Sequence, residues 1–207
     1  MRVAKKRLSA DDRKRKILDE SKKLFARKGL HGVSVDEIAR RVKVSPAILY
    51  RHFPSKESLY DAVLEEISCK REDYVDAILA EEANFPSVLR KITQLYTQSV
   101  SREPDYLRME MQSALDGSSA TAQFFENRWK PFVDFVEIEI KDLKASGKID
   151  KGVDPRIAGM LYQGVIREAL YAKCISKDKR YRDIELDEIV DQAMDLFFRV
   201  IGVSSGE

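Results

Sequence analysis

The stretch SVDEIARRVKVSPAILYRHF, Ser34 to Phe53, decides the fold of this chain. Ser34 and Glu37 have capping-box spacing: the Ser34 hydroxyl accepts from the third backbone N–H, and Glu37 can reach back. They open a short helix that turns Ile38, Ala39 and Val42 inward. Ser45 then reads as an N-cap with Pro46 at the first helical position. Two short helices joined through Val42-Lys43-Val44 make a helix-turn-helix. The second helix is too short, and too polar outside Leu49, to serve only as core. Its N-terminus carries Ser45, Pro46 and Ala47, which let a backbone approach a duplex closely, and free N–H groups there attract phosphate. The pattern alone leaves two readings open, a structural hairpin and a DNA reader.

Upstream, Ile17, Ser21, Leu24, Phe25 and Lys28 recur at helical spacing until Gly29 stops the helix. Downstream, Pro54-Ser55 ends the short helix and caps a fourth, with Leu59, Val63, Leu64 and Ile67 as its stripe. The rest breaks at Pro86, Pro104, Asp116 to Ser119, Gly147 to Asp154 and Ser176 to Asp183, leaving about five more helices. No segment alternates with period two, and no repeat is present. The predicted fold is all-α. A basic arm spans 1–10, a three-helix helix-turn-helix head 11–71 and a larger helical body 72–207, about nine helices in all.

The net charge of +2 hides an asymmetry. Residues 1–60 hold 17 Lys+Arg against 7 Asp+Glu, a balance of +10, and the remainder balances at −8. A basic head on an acidic body is the footprint of a protein whose first part meets polyanions, with a solvated lysine-rich terminus as the plain alternative. The longest runs without a formal charge, Ile92 to Ser101 and Ile157 to Ile166, are ten residues, half of what a membrane-spanning helix needs. Cys69 and Cys174 form no CxxC pair and no ligand cluster with His31 or His52. The expectation is a cytoplasmic, reduced protein with no metal, no cofactor and no contact with a membrane. No nucleophile–base pair marks an enzyme, and catalytic residues are expected to be none.

Ile17 to Tyr60 resembles the DNA-binding domain of the TetR family of transcriptional regulators. The residues that carry the resemblance are Leu24-Phe25, Gly29, Ser34 to Ala39, Val44-Ser45-Pro46, Leu49 to Phe53, Pro54 to Glu57 and Leu59-Tyr60. The resemblance implies a homodimer of nine-helix subunits that represses from a palindromic double-stranded operator and is released by a small effector. It places Ser34 on a phosphate, Ser45, Pro46, Ala47 and Ile48 in the major groove, and Tyr50, Arg51, His52 and Lys56 against the backbone. Lys43 stands where the family usually has glycine, so an ordinary right-handed or slightly strained turn is expected, with an extra cation toward the groove. Ile48 replaces a threonine or another small residue and can meet a thymine methyl. His52 reads as a phosphate or groove contact or as a structural hydrogen bond. Arm residues Arg2, Lys5, Lys6 and Arg7 either reach a minor groove or form a solubilising tail.

In the body, Tyr96, Met109, Gln112, Phe125, Arg128, Trp129, Phe132, Tyr162 and Gln163 are the candidate lining of a largely apolar effector pocket. Aromatic residues at helical spacing are equally the signature of plain core. The last helices are apolar on two sides, and Ala158, Gly164, Ala169, Val190, Met194, Phe197 and Ile201 are the candidate dimer seam. A central core helix of a monomer is the alternative. A helical adaptor or ligand-binding protein whose helix-turn-helix no longer functions is the second function class, but it leaves the +10 head unexplained.

Overall fold

The computed structural model describes residues 9–69, 84–116 and 130–203, with side chains for all but a few of them. Among the described residues there are nine α-helices and no strand: α1 (Ala10–Lys28), α2 (Val35–Val42), α3 (Pro46–His52), α4 (Lys56–Cys69), α5 (Phe85–Arg102), α6 (Asp105–Asp116), α7 (Lys130–Ala145), α8 (Pro155–Leu170) and α9 (Leu186–Ile201). A π-helical turn (Tyr171–Ser176) and a 3-10 turn (Lys179–Tyr181) join α8 to α9. The all-α expectation holds.

The chain divides into two compact units. The first comprises residues up to Ile67 together with Arg108–Ala122, and the second comprises the rest. Most of α6 is grouped with the N-terminal helices.

In the first unit α1 packs on α2, and α2 on α3. Ile17, Phe25, Ile38, Leu49, Leu59 and Tyr60 are wholly buried, and the Phe25 and Tyr60 rings meet edge to face at 5.0 Å. Phe53 is buried as well, so both aliphatic and aromatic anchors of α3 point into the head. Ser9, Ser34 and Ser45 each cap a helix, accepting from Asp12, Glu37 and Ile48 N–H respectively. The capping box at Ser34 is half built. The Glu37 carboxylate turns instead to the Lys28 ammonium at 2.6 Å, tying α2 to the end of α1. Gly29 leaves α1 with φ 68°, a conformation in which a side chain is strained.

Lys43 corrects the expected turn. It is left-handed, φ 65° and ψ 47°. The cause is the way α2 closes: Val44 N–H bonds the Ala39 carbonyl at 2.9 Å and Lys43 N–H bonds Arg40 at 3.2 Å, a Schellman pattern that requires a left-handed residue between them.

A second tie joins α1 to α2. Arg41 Nε donates to Glu20 at 2.7 Å, and Lys23 donates to the other carboxylate oxygen at 2.8 Å. These bonds, that of Lys23 first, lower the Glu20 pKa. A carboxyl depressed on folding contributes stability above its unfolded pKa and loses it as pH falls through the folded value. Glu20→Gln is therefore expected to lower the neutral-pH stability by about 0.2–1 kcal/mol, as partly exposed pairs do. It should also remove part of the acid-side fall in melting temperature below about pH 4.5. A variant whose melting curve against pH superimposes on the wild type would contradict this role.

In the second unit α8 packs on α7, α9 and α5. Its core holds Leu89, Ile140, Leu170 and Phe198, with Phe197 lying 5.6 Å from both Tyr162 and Phe198. Thr93 donates to the Leu89 carbonyl at 2.6 Å and sits 2.7 Å from the Tyr162 hydroxyl. With the threonine proton committed, the tyrosine donates to Thr93. Lys173 reaches back to the Tyr181 and Ile184 carbonyls at 2.8 and 2.6 Å and so holds the α8–α9 connection. No helix among the described residues is long and apolar enough to cross a membrane.

Candidate nucleic-acid interface

All ten residues expected at DNA lie in the first unit, on α2, α3, the start of α4 and their caps. Lys43, Ser45, Pro46, Ala47, Tyr50 and Arg51 are exposed, as is Ser34, while Ile48, His52 and Lys56 are partly buried. Tyr50 leaves 48% of its surface in water although it sits one residue from wholly buried Leu49. The division follows from helix geometry. Leu49 and Phe53, four residues apart, share the inward face, and Pro46, Ala47, Tyr50 and Arg51 occupy the rest of the turn.

The chemistry of this surface is that of a duplex reader. The first turn of α3 offers only a proline ring, a methyl and an isoleucine, so nothing bulky keeps its backbone from a groove. Ser34 and Ser45 use their oxygens as acceptors for the N-caps, which leaves each hydroxyl proton available to a phosphate oxygen. The cations are sorted by position. Lys23, Lys28 and Arg41 are neutralised by Glu20 and Glu37 within the head. Lys43, Arg51 and Lys56, which border α3, have no ion-pair partner among the described residues. A cation that is already paired gives up that pair when it meets a phosphate; these three do not. Neither histidine belongs to a metal-binding group among the described residues.

The residues expected in a pocket are distributed over both units and over positions outside the described residues. Met109 and Gln112 belong to the first unit; Met109 is wholly buried, and Gln112 Nε2 donates to the Ala26 carbonyl at 3.3 Å near the end of α1. Tyr96, Tyr162 and Gln163 belong to the second unit. Tyr162 is committed to Thr93, and burial pushes its phenol pKa up. Gln163 is partly buried, and its Nε2 is enclosed without a hydrogen-bond partner among the described residues. Phe125, Arg128, Trp129 and the Phe132 side chain lie outside the described residues.

Most of the residues expected at a dimer seam on the last helices are buried within the subunit. Val190, Met194, Phe197 and Ile201 are at most 3% exposed and form the core of the single chain, and Ala158 and Ala169 are buried too. They turn inward because α9 meets α5 and α8 within one subunit. A second apolar set is exposed: Ile157, Met160 and Leu161 on α8, and Leu196 and Val200 on the face of α9 next to the buried one, exposed by 39 to 66%. Between them runs a groove of about 490 Å³ lined by Gly164, Ala169, Ala172, Ile189 and Ala193. Both stripes of α9 are apolar, and only packing tells the buried one from the exposed one.

Residues 17–63 match the sequence family of bacterial regulatory proteins, tetR family. The matched span contains the whole of α2, α3 and the turn between them. Over this span the chain is similar to the TetR family. Over 171 residues it is 26% identical to the nucleoid occlusion factor SlmA of Vibrio atlanticus, covering 78% of this chain and 83% of that protein. Its fold is that of AibR, solved in complex with isovaleryl coenzyme A and operator DNA (TM-score 0.72, 24% identity, 93% of this chain and all of that one). The same holds for FadR of Bacillus subtilis, solved with stearoyl-CoA (TM-score 0.71, 17% identity, 92% of this chain and 99% of that one). Residues 17–63 thus match a family of bacterial regulatory proteins, and the structural neighbours of the chain include proteins solved with operator DNA and small molecules.

Proposed function

We propose that this protein is a homodimeric repressor of the TetR family that binds a palindromic operator and is released by a small, largely apolar effector. The head of residues 11–71 reads DNA, and the body of 72–207 binds the effector and makes the dimer. The observation that carries the reading is the exposed first turn of α3, bordered by Lys43, Arg51 and Lys56, which have no ion-pair partner among the described residues. Ala47 and Ile48 read base edges and thymine methyls; Ser34, Tyr50, Arg51, His52 and Lys56 hold the backbone. The two exposed stripes of α8 and α9 are the isologous surface through which two copies associate, side chains of one filling the groove of the other. Two structural neighbours were solved with coenzyme A thioesters, whose acyl chains are of the apolar kind that such a body would enclose. Such a ligand releases DNA only by favouring a subunit geometry in which the heads no longer match adjacent grooves. DNA must then weaken its binding by the same factor.

The test separates the two kinds of contact. Binding is followed by fluorescence anisotropy across a salt series, on the DNA upstream of the protein's own gene and on a scrambled duplex. Lys56→Ala and Tyr50→Phe are expected to weaken both duplexes alike, and Lys56→Ala to reduce the salt slope by about one unit per subunit. Ile48→Thr is expected to change the preferred sequence and leave the slope nearly untouched. Equal loss of affinity for both duplexes on changing Ile48 would mean that α3 does not read bases.

A further inference from the structure

We propose that Lys14, on the outer side of α1, is a further phosphate contact of the head, a reading that rests on the head's binding to duplex DNA. The ammonium of Lys14 lies over the ring of Phe53, 6.0 Å from its centroid. Phe53 is the C-cap of α3, between His52 and the Pro54-Ser55-Lys56 entry to α4. The long stem of Lys14 thus brings a cation from a distant part of the chain to the link between the two elements that carry Arg51 and Lys56.

The kind of contact matters. Lys28 and Arg41, also on α1 and α2, meet carboxylates and lose their charge to them. Lys14 is exposed, meets a ring face, and has no carboxylate partner among the described residues. An aromatic ring orients an ammonium without neutralising it, so the full charge remains for a phosphate. A long lysine stem can reach such a ring while the head group stays in water. Arg51, Lys56 and Lys14 together give the α3–α4 link three unneutralised cations. That is the arrangement counterion release rewards.

The experiment uses the full chain and a duplex of about 30 base pairs of arbitrary sequence, because a phosphate contact carries no base preference. Affinity is measured from 50 to 200 mM salt for the wild type, Lys14→Gln, Lys14→Met and Lys14→Arg. Each lost phosphate contact lowers the slope of log affinity against log salt by about 0.9, so a dimer loses about 1.8. The affinity deficit of Lys14→Gln and of Lys14→Met, relative to wild type, should therefore shrink on the order of tenfold across this range. Lys14→Arg should keep the wild-type slope. Lys14→Met retains the stem, so a loss shared with Lys14→Gln belongs to the charge and not to packing on Phe53. Wild-type slopes in both neutral variants would overturn the proposal while leaving the DNA-reading head intact, as would a slope lost equally in Lys14→Arg. A wild-type protein that binds no duplex would overturn the head's function and this contact with it.

Discussion

Phe197→Glu is expected to unfold the protein, whereas Leu196→Glu combined with Val200→Glu is expected to yield folded monomers. Phe197 is 3% exposed and stacks between Tyr162 and Phe198. A carboxylate there has no cation to meet, and its burial costs several kcal/mol on top of the lost ring contacts. That is comparable with the whole stability of a domain, about 5–15 kcal/mol. Leu196 and Val200 sit one turn apart on the outer face, 57% and 66% exposed, where charge costs the isolated subunit within about 0.5 kcal/mol. In a pair of copies the same charges are trapped against apolar surface. The double variant should therefore melt near the wild-type temperature, scatter light as a monomer and lose on the order of 100-fold or more in affinity for the operator, because two heads no longer act together. A double variant that remains dimeric would remove the α8–α9 outer face from the interface.

Lys43→Gly is expected to stabilise the head and weaken its hold on DNA. A side chain in the left-handed region costs roughly 1–2 kcal/mol, a cost that glycine avoids. Glycine returns part of that gain through the greater freedom of the unfolded chain. The net expectation is about 1 kcal/mol of added stability, a rise of roughly 2–4 °C in melting temperature for a chain of this size. The same change deletes an exposed cation beside α3, so the salt slope of DNA binding should fall by about one unit per subunit. The opposite signs are what make the measurement informative. Added stability together with a lower salt slope would assign the lysine's charge to DNA binding. If Lys43→Gly binds DNA with unchanged slope, the left-handed lysine has no such function.

The head was legible from sequence because its signals are local. Ser34, Ser45 and Pro46 act on N–H groups within three residues, and Leu49 and Phe53 follow one helical period, so caps, turn and buried face could be read along the chain. Where the partner is distant, the reading ran out. Glu37 was matched to Ser34, yet the cation that claims it is Lys28, on another helix. Gln112 has the composition of a pocket anchor, but its amide serves the last turn of α1, a bond between residues 86 apart in sequence. The left-handed Lys43 escaped because propensity argues against it, and the closing hydrogen bonds of α2 override propensity. On α9 the two apolar stripes are equivalent as sequence, and only the packing of α5 and α8 against one of them leaves the other exposed.

Selection from a pool of randomised duplexes tests the central claim, that α3 of two joined heads reads bases. After several rounds of binding to the full-length protein, the retained pool is sequenced. The account predicts an enriched inverted repeat whose half-site centres lie about one helical turn, 34–36 Å, or a multiple of it apart. It also predicts that Ile48→Thr shifts the enriched bases without changing their spacing. A pool that stays random would contradict base reading by α3, and enrichment of a lone half-site would contradict the joined heads.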